Sequence, residues 1–206
     1  MIVVRGSNPG PDYISELVRL NREKAILEDE QILDNLVLLL ADGLGNVDKG
    51  ICNAVAALLE HPDQWELLER EPELLPCAVD ECLRFESPAQ FIGRVAKEDL
   101  EINGQLIRKN EAVLLLLGSA NRDPEQFDDP DRFDVSRDPN PHLSFGRSRH
   151  SCIGGTLVRL QMQTALGVLL QLIPRIEVSE SGLTWQPRMG HRWLSELRVR
   201  RAEVRT

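Results

Sequence analysis

The sequence predicts a mostly helical α+β fold with small β-sheets, on the strength of three observations. Apolar residues recur at helical spacing through most of the first 85 residues. Short apolar runs with strand spacing then follow, two of them joined by Asn103-Gly104. A second long amphipathic segment covers Gly155–Leu172. Because no internal repeat and no linker divides the chain, we expect residues 1–206 to form a single domain.

The helices are predicted from this spacing and from stop signals such as His61-Pro62. The longest carries Gly43 and Gly45, which each cost about 1 kcal/mol relative to alanine, so another interaction must compensate. The predicted helices are Asp12–Leu20, Leu27–Glu60, Pro62–Glu71, Leu74–Phe85 and Gly155–Leu172.

The strands are predicted where the apolar period changes, after residue 91. Residues 121–141 are rich in Asp, Pro and Arg and have no hydrophobic period, which predicts a long functional or disordered loop. Val113–Leu117 is predicted as a buried strand or as an apolar lead-in to a loop. The other predicted strands are Ile92–Ala96, Leu100–Ile102 and Leu106–Ile107, with further strands and hairpins within 176–204.

Composition excludes several classes of function. The formal net charge of −9 argues against a nucleic-acid partner. No apolar run approaches the ~20 residues that a membrane span requires. The four cysteines form no CxxC pair, so we expect reduced thiols in a cytoplasmic protein.

The segment SFGRSRHSCIGG places Cys152 just before a predicted helix, among Arg147, Arg149 and His150. Unpaired N–H groups at a helix start favour negative charge on the sulfur. Glycines let a flat ligand approach the backbone, and the cations suit carboxylates. A thiolate beside carboxylate-binding cations suits a haem iron and its propionates. On this loop alone, a structural cysteine in a glycine-bearing turn is an equally good interpretation.

Glu81 and Arg84 form an ExxR pair on one helix face, where an ion pair is geometrically easy. Most such pairs are solvated and contribute little. Arg132, in the segment PDRF, could complete a buried triad with them; alone it is an ordinary loop arginine.

Taken in order, these segments resemble the cytochrome P-450 family of haem-thiolate enzymes, of the soluble bacterial type. LLLADGLGNVDKGICNAVAALLEHPDQ is similar to the long distal helix, and DECLRFESPAQFIGRVA resembles the ExxR helix and the strand after it. NRDPEQFDDPDRFDVSRDPNPHLSFGRSRHSCIGG is similar to the meander and cysteine-ligand loop. The resemblance implies the C-terminal portion of that fold, since family members are roughly twice as long.

The resemblance also implies a role for each matching residue. Cys152 matches the axial ligand of the iron of haem b (iron protoporphyrin IX), and Gly154 the glycine that follows it. Phe145 matches the aromatic residue near the sulfur, and Arg94 and His150 match propionate partners. The remaining implied assignments are Gly43 over the haem, Glu81, Arg84 and Arg132 as a structural triad, and Pro88–Ile92 and Met189–Trp193 along the substrate pocket.

The sequence departs from the family pattern where protons are delivered to oxygen. The pattern Gly-x-acid-Thr becomes Gly43-Leu44-Gly45-Asn46, so Asn46 replaces the hydroxyl. An amide can order water but cannot relay protons as a carboxyl–hydroxyl pair does. In the ligand loop, Ser148 replaces a glycine and costs about 1 kcal/mol if φ is positive there. Gly155 replaces a helix former, which predicts a looser loop.

The resemblance implies a monooxygenase that inserts one oxygen atom from O2 into a small apolar organic substrate. Electrons would come from a ferredoxin- or flavodoxin-type donor, docked near Arg147 and Arg149. The departures leave two alternatives. One is a haem enzyme that avoids O2 activation, such as a peroxide user, an isomerase or a coupling catalyst; the other is a non-catalytic fragment or pseudoenzyme. With the N-terminal half of the fold absent, self-association or a partner chain is expected to cover the distal face.

Overall fold

The computed structural model describes residues 7–24, 27–173, 176–179 and 183–201, which belong to two compact units. The first unit is Met1–Gly45 and the second is Asn46–Thr206. Residues 180–182 and 202–204 of the predicted tail strands lie outside the described residues.

The first unit contains helices α1 (Tyr13–Lys24) and α2 (Asp29–Gly45). Asp12 precedes α1, and its Oδ1 accepts the backbone N–H of Ser15 at 3.0 Å, which satisfies one free donor of the first turn. The side chain of Asn21 donates to the Leu27 carbonyl and accepts the Leu27 N–H, and so ties α1 to the approach to α2. Ile32 of α2 is buried. Other large apolar side chains of α2 are exposed, among them Leu33, Val37, Leu38, Leu40 and Leu44.

The second unit contains five α-helices among its described residues. Its core lies where α3, α5 and α7 pack together. Leu58 of α3, Val79 of α5, and Met162 and Leu166 of α7 are fully or almost fully buried there. The helices are α3 (Val47–Glu60), α4 (Pro62–Arg70), α5 (Leu75–Phe85), α6 (Leu117–Ala120) and α7 (Gly155–Leu172), with 3₁₀ turns at Pro72–Leu74 and Ser148–His150.

The strands of this unit pair in twos and are all antiparallel. Asn103 and Gly104 connect β2 to β3 with φ of 49° and 76°, as a two-residue hairpin turn of this sequence requires. The pairs are β1 (Ile92–Val95) with β4 (Ala112–Leu115), β2 (Leu100–Ile102) with β3 (Gln105–Ile107), β5 (Ile176–Val178) with β8 (Val199–Arg201), and β6 (Thr184–Trp185) with β7 (Leu194–Glu196).

The predicted fold class is therefore confirmed, with two differences among the described helices. The short helix α6 (Leu117–Ala120) is not among the predicted helices, and it begins at the last residue of the predicted segment Val113–Leu117. The helix predicted over Leu27–Glu60 is two helices, because α2 ends at Gly45 and α3 begins at Val47. Asn46 between them has φ −101° and ψ −29°. The low helix propensities of glycine and asparagine explain why the interruption falls here.

No helix in the described part of the chain combines the length and the hydropathy that crossing a bilayer would require.

Candidate functional site

The loop before α7 folds back on itself and presents Cys152. The backbone N–H of Cys152 donates to the Phe145 carbonyl at 2.8 Å, which closes the loop. Gly146 and Ser148 both take a positive φ, 64° and 63°, so the chain can turn inside it. Cys152 is exposed, and Gly155 begins α7 three residues later. The loop thus holds the thiol outward at the start of a long helix.

Two glycines on the α7 side of the loop lie close to the thiol and to the aromatic ring. A Cβ atom on Gly154 would lie 3.7 Å from the Cys152 sulfur. A Cβ atom on Gly155 would lie 3.4 Å from Cγ of Phe145. Gly155 is buried, so this glycine allows the Phe145 ring to pack directly on the helix start. The looser loop expected from Gly155 remains a prediction.

Cys152 differs from the other three cysteines in its exposure. Cys82 is buried and Cys52 and Cys77 are half-buried. Burial raises the pKa of the Cys82 and Cys52 thiols, which keeps them protonated at neutral pH. All four are free thiols. Of these four cysteines, Cys152 is the exposed one.

A cavity of about 610 Å³ opens beside the same loop. Its walls are apolar, and its described lining residues include basic side chains but no aspartate or glutamate. Lys97 belongs to this basic set although sequence reasoning did not single it out; it follows β1 two residues after Val95. The basic members are Arg94, Lys97, Arg147, Arg149 and His150, and the apolar ones are Ile92, Leu115, Leu116, Leu117, Ala120 and Leu143.

This donor set fits a flat apolar group that carries carboxylates. Guanidinium, ammonium and imidazole groups bind carboxylates, and the leucine and isoleucine side chains remove apolar surface from water. The thiol of Cys152 lies on the loop that supplies the wall from Gly146 to His150. Within the described residues no group of three or more His, Cys, Asp or Glu side chains could hold a metal ion by itself.

Glu81 and Arg84 of α5 form a fully buried ion pair. Both side chains have 0% exposure, and Arg84 Nε and Nη2 donate to the two Glu81 oxygens at 2.7 and 2.8 Å. The remaining guanidinium donors reach the carbonyls of Asn121, Pro130 and Arg132 at 2.7 to 3.0 Å. A buried pair is favourable only when its other donors and acceptors are also satisfied. Here the hydrogen bonds of Arg84 also anchor the irregular segment 121–132, which precedes the cysteine loop in sequence.

The third cation of this cluster is Arg137, which corrects the expectation for Arg132. The Arg132 side chain is 63% exposed and pairs with Asp134 at 3.5 Å, while its carbonyl accepts from Arg84. The backbone N–H of Arg132 donates to the Asp129 carbonyl, so Arg132 lies at the end of a turn, and its side chain is exposed there. The Arg137 side chain is 12% exposed, and its Nε lies 3.2 Å from Glu81 Oε2. Arg137 and Glu81 are 56 residues apart, so no local sequence pattern identifies this contact.

Gly43 and Asn46 lie on either side of the boundary between the two units. Gly43 is within α2, and a Cβ atom there would meet no atom within 4 Å. Asn46 precedes α3, and its carbonyl accepts the Gly50 N–H at 2.9 Å. Their assignment to the oxygen side of the site remains a prediction.

The pocket segments named from the sequence come together in part. The backbone N–H of Gln90 donates to the Gly190 carbonyl at 2.8 Å, and Ala89 forms a bridge with His191. The ring of Phe91 lies against Gly190, where a Cβ atom would be 3.0 Å from it. Pro88–Ile92 and Met189–Trp193 therefore lie side by side, and their role in binding a substrate remains a prediction.

Comparison with known proteins agrees with this geometry. The family profile described as Cytochrome P450 matches residues 7–174. The biotin biosynthesis cytochrome P450 of Bacillus subtilis (strain 168) is 45% identical over 199 residues, which are 97% of this chain and 50% of that protein.

Solved structures give the same result. P450BioI in complex with an acyl carrier protein ligated with hexadec-9Z-enoic acid superposes with a TM-score of 0.89 at 43% identity, over 96% of this chain and 50% of that one. CYP109E1 from Bacillus megaterium in complex with testosterone gives a TM-score of 0.91 at 36% identity, over 97% of this chain and 56% of that one. The chain spans about half the length of the curated relatives it matches, and it corresponds to their C-terminal half. With the cysteine loop, the buried ExxR pair and the fold all in agreement, the chain belongs to the cytochrome P450 family.

Proposed function

We propose that this chain binds haem b through Cys152 and forms the thiolate side of a monooxygenase site. The observation that carries the proposal is the exposed Cys152 on a closed loop that also lines a basic cavity with apolar walls. The basic and apolar side chains of this cavity suit the carboxylates and the apolar edge of a porphyrin. Membership of a family of haem enzymes supports the same assignment.

Each residue of the site has a separate task in this proposal. The Cys152 sulfur supplies the axial ligand, and Arg94 and His150 donate to the carboxylates, with Lys97 as an additional cation. Phe145 excludes water beside the sulfur, and Gly154 lets the porphyrin approach the backbone. When bound, haem with a thiolate ligand supplies the chemistry of O2 activation, since the thiolate favours O–O cleavage.

The reaction that we propose for the whole site inserts one oxygen atom of O2 into a small apolar organic substrate. Electrons come from a ferredoxin or flavodoxin, acidic proteins for which the exposed Arg147 and Arg149 are suitable contacts. The P450BioI structure contains a fatty acid on an acyl carrier protein, so a carrier-bound acyl chain is the first substrate class to test. Free cysteines fit the reducing cytoplasm, which we propose as its location.

A haem titration of the purified chain tests the binding step. Arg94→Gln removes a cation from the cavity and is expected to weaken haem affinity about ten-fold, since a hydrogen bond to a charged group contributes about 1.5–3 kcal/mol. Arg108→Gln is the matched control, because Arg108 is exposed and does not line the cavity. Equal affinities of the two variants would contradict the assignment of the cavity.

A second candidate function is a haem enzyme that does not activate O2 by itself, such as a peroxide user. Gly45 and Asn46 favour it, because glycine has no side chain and an amide cannot relay a proton as the family's acid and threonine do. In a reconstituted enzyme, Asn46→Thr is expected to raise turnover with O2 and reductant and to leave turnover with peroxide unchanged. No rise with O2 would count against a lost relay.

A further inference from the structure

A charged cluster behind the cysteine loop joins three segments of the second unit. Oδ1 of Asp80, on α5, lies 2.6 Å from Arg159 Nε and 3.2 Å from His142 Nε2. The side chain of His142 is 2% exposed, and those of Asp80 and Arg159 are 28% and 37% exposed. The three residues come from α5, from the segment before the loop, and from α7. None of them was singled out from the sequence.

Two of these residues enclose the ring of Phe145. The Arg159 guanidinium carbon lies 4.7 Å from the ring centroid, within range of a cation–π contact. The His142 ring centroid lies 5.8 Å from that of Phe145. Gly155, one turn before Arg159 on α7, contacts the same ring. The ring is thus fixed by side chains that Asp80 holds in place.

The backbone of Phe145 is hydrogen-bonded to Cys152. The Phe145 carbonyl accepts the Cys152 N–H at 2.8 Å. His142 Nδ1 accepts the Ser144 N–H at 3.2 Å, so its Nε2 carries the proton that is donated to Asp80. The contacts of Asp80 therefore reach the cysteine through two routes, the Phe145 ring and the Ser144 backbone.

We propose that Asp80, His142 and Arg159 are positioning residues for Cys152. The Asp80 carboxylate fixes Arg159 and His142, these hold Phe145 and Ser144, and the Phe145 carbonyl orients the cysteine. Asp80 also neutralises the guanidinium that stands close to the sulfur's loop. The inference rests on the proposed function in so far as Cys152 is the haem ligand, whereas the ordering of the loop does not depend on haem.

Hydrogen–deuterium exchange of the haem-free chain tests this ordering directly. Asp80→Asn should accelerate exchange in peptides that cover residues 143–155 by about five-fold, the effect of one lost hydrogen bond. Asp80→Glu should restore most of the protection. Arg159→Lys, which keeps the charge but not the Nε geometry, should fall between wild type and Asp80→Asn. Unchanged exchange in 143–155 would overturn the proposal.

A matched control exists in the same unit. Arg122 stacks on Phe85 with its guanidinium carbon 3.8 Å from the ring centroid, and Asp131 pairs with it at 2.8 Å. Asp131→Asn removes the same type of carboxylate from the same type of stacked arginine, away from Cys152, and should leave exchange in 143–155 unchanged. If Asp80→Asn instead accelerates exchange equally in α3, which does not contain Asp80, the effect is global and the positioning role is refuted.

A spectroscopic measurement connects the cluster to the metal ligand. In chain loaded with haem, Asp80→Asn should lower the fraction of the carbon monoxide complex that has the red-shifted Soret band of thiolate ligation, and Asp131→Asn should not. If wild type takes up no haem, the proposed function fails while the exchange experiment still decides the positioning role. If haem binds and both variants keep the full thiolate fraction, the positioning role fails and the proposed function stands.

Discussion

Ser148 holds a backbone conformation that serine seldom adopts. Its φ is 63°, in the left-handed region, which costs a residue with a Cβ atom about 1 kcal/mol relative to glycine. The sequence comparison with the family loop indicated glycine here, and the structure shows why. The serine stores strain at the tip of the loop that carries Cys152.

Replacing this serine tests that strain. Ser148→Gly should increase the free energy of unfolding by about 1 kcal/mol, as followed by urea titration. Ser151→Gly, at a φ of −57°, is the matched control and should give no increase. A gain from both variants, or from neither, would show that the positive φ of Ser148 carries no cost.

Substitutions of Arg137 and Arg132 are expected to have different effects on the free energy of unfolding. Arg137→Ala removes a nearly buried cation from Glu81 and should lower the free energy of unfolding by about 2 kcal/mol. Arg132→Ala should cost about 0.5 kcal/mol or less, because its side chain is exposed and the carbonyl that binds Arg84 is retained. Urea unfolding of both variants measures the difference, and the reverse order would restore Arg132 as the third member of the cluster.

Among the elements, α5 and α7 are linked beside the cysteine loop by the ion pair between Asp80 and Arg159. Burial alone would raise the pKa of Asp80, but hydrogen bonds from His142 and Arg159 outweigh it and hold the pKa below its ordinary value. The folded chain therefore binds this proton less readily than the unfolded chain. The stabilisation is present above the unfolded pKa and is lost as pH falls through the folded pKa.

This linkage predicts a pH dependence for the difference between wild type and Asp80→Asn. Wild type should be the more stable at neutral pH, and the difference should shrink as pH falls below about 4. Chemical unfolding at a series of pH values measures it. A difference that stays constant from pH 7 to pH 3 would show that the Asp80 charge does not join these elements.

The elements were largely predictable from the sequence, and their tertiary contacts were not. Gly155–Leu172 and the Asn103-Gly104 hairpin follow from apolar period and turn chemistry, so local sequence suffices. The break at Asn46 went unpredicted because the apolar period continues across it. Sequence reasoning did not find Lys97, Arg137 or the Asp80 cluster, because the residues they contact are distant in sequence. The direction of a side chain at the end of a turn is set by tertiary packing, which the local sequence does not specify.

The whole molecule leaves large apolar side chains exposed in both units. On α7 the exposed residues Leu157, Leu160, Val168 and Leu172 recur at helical spacing. Contiguous apolar surface of this kind marks a contact site on a soluble protein. We expect self-association or a partner chain to cover this surface.

Sedimentation velocity at increasing protein concentration tests that expectation. The chain should form species larger than a monomer, and Leu160→Glu should shift the population toward monomer. Thr156→Glu adds the same charge at an exposed position of the same helix without removing apolar surface, and should leave the distribution unchanged. A wild-type chain that remains monomeric at high concentration would contradict the prediction.

Carbon monoxide spectroscopy tests whether Cys152 ligates haem iron. Haem-loaded chain, reduced under carbon monoxide, should show the red-shifted Soret band of a thiolate-ligated complex. Cys152→Ala should abolish that band, and Cys77→Ala, which removes a half-buried cysteine outside the loop, should retain it. A wild-type chain that binds no haem, or a band that persists in Cys152→Ala, would contradict ligation of the iron by Cys152.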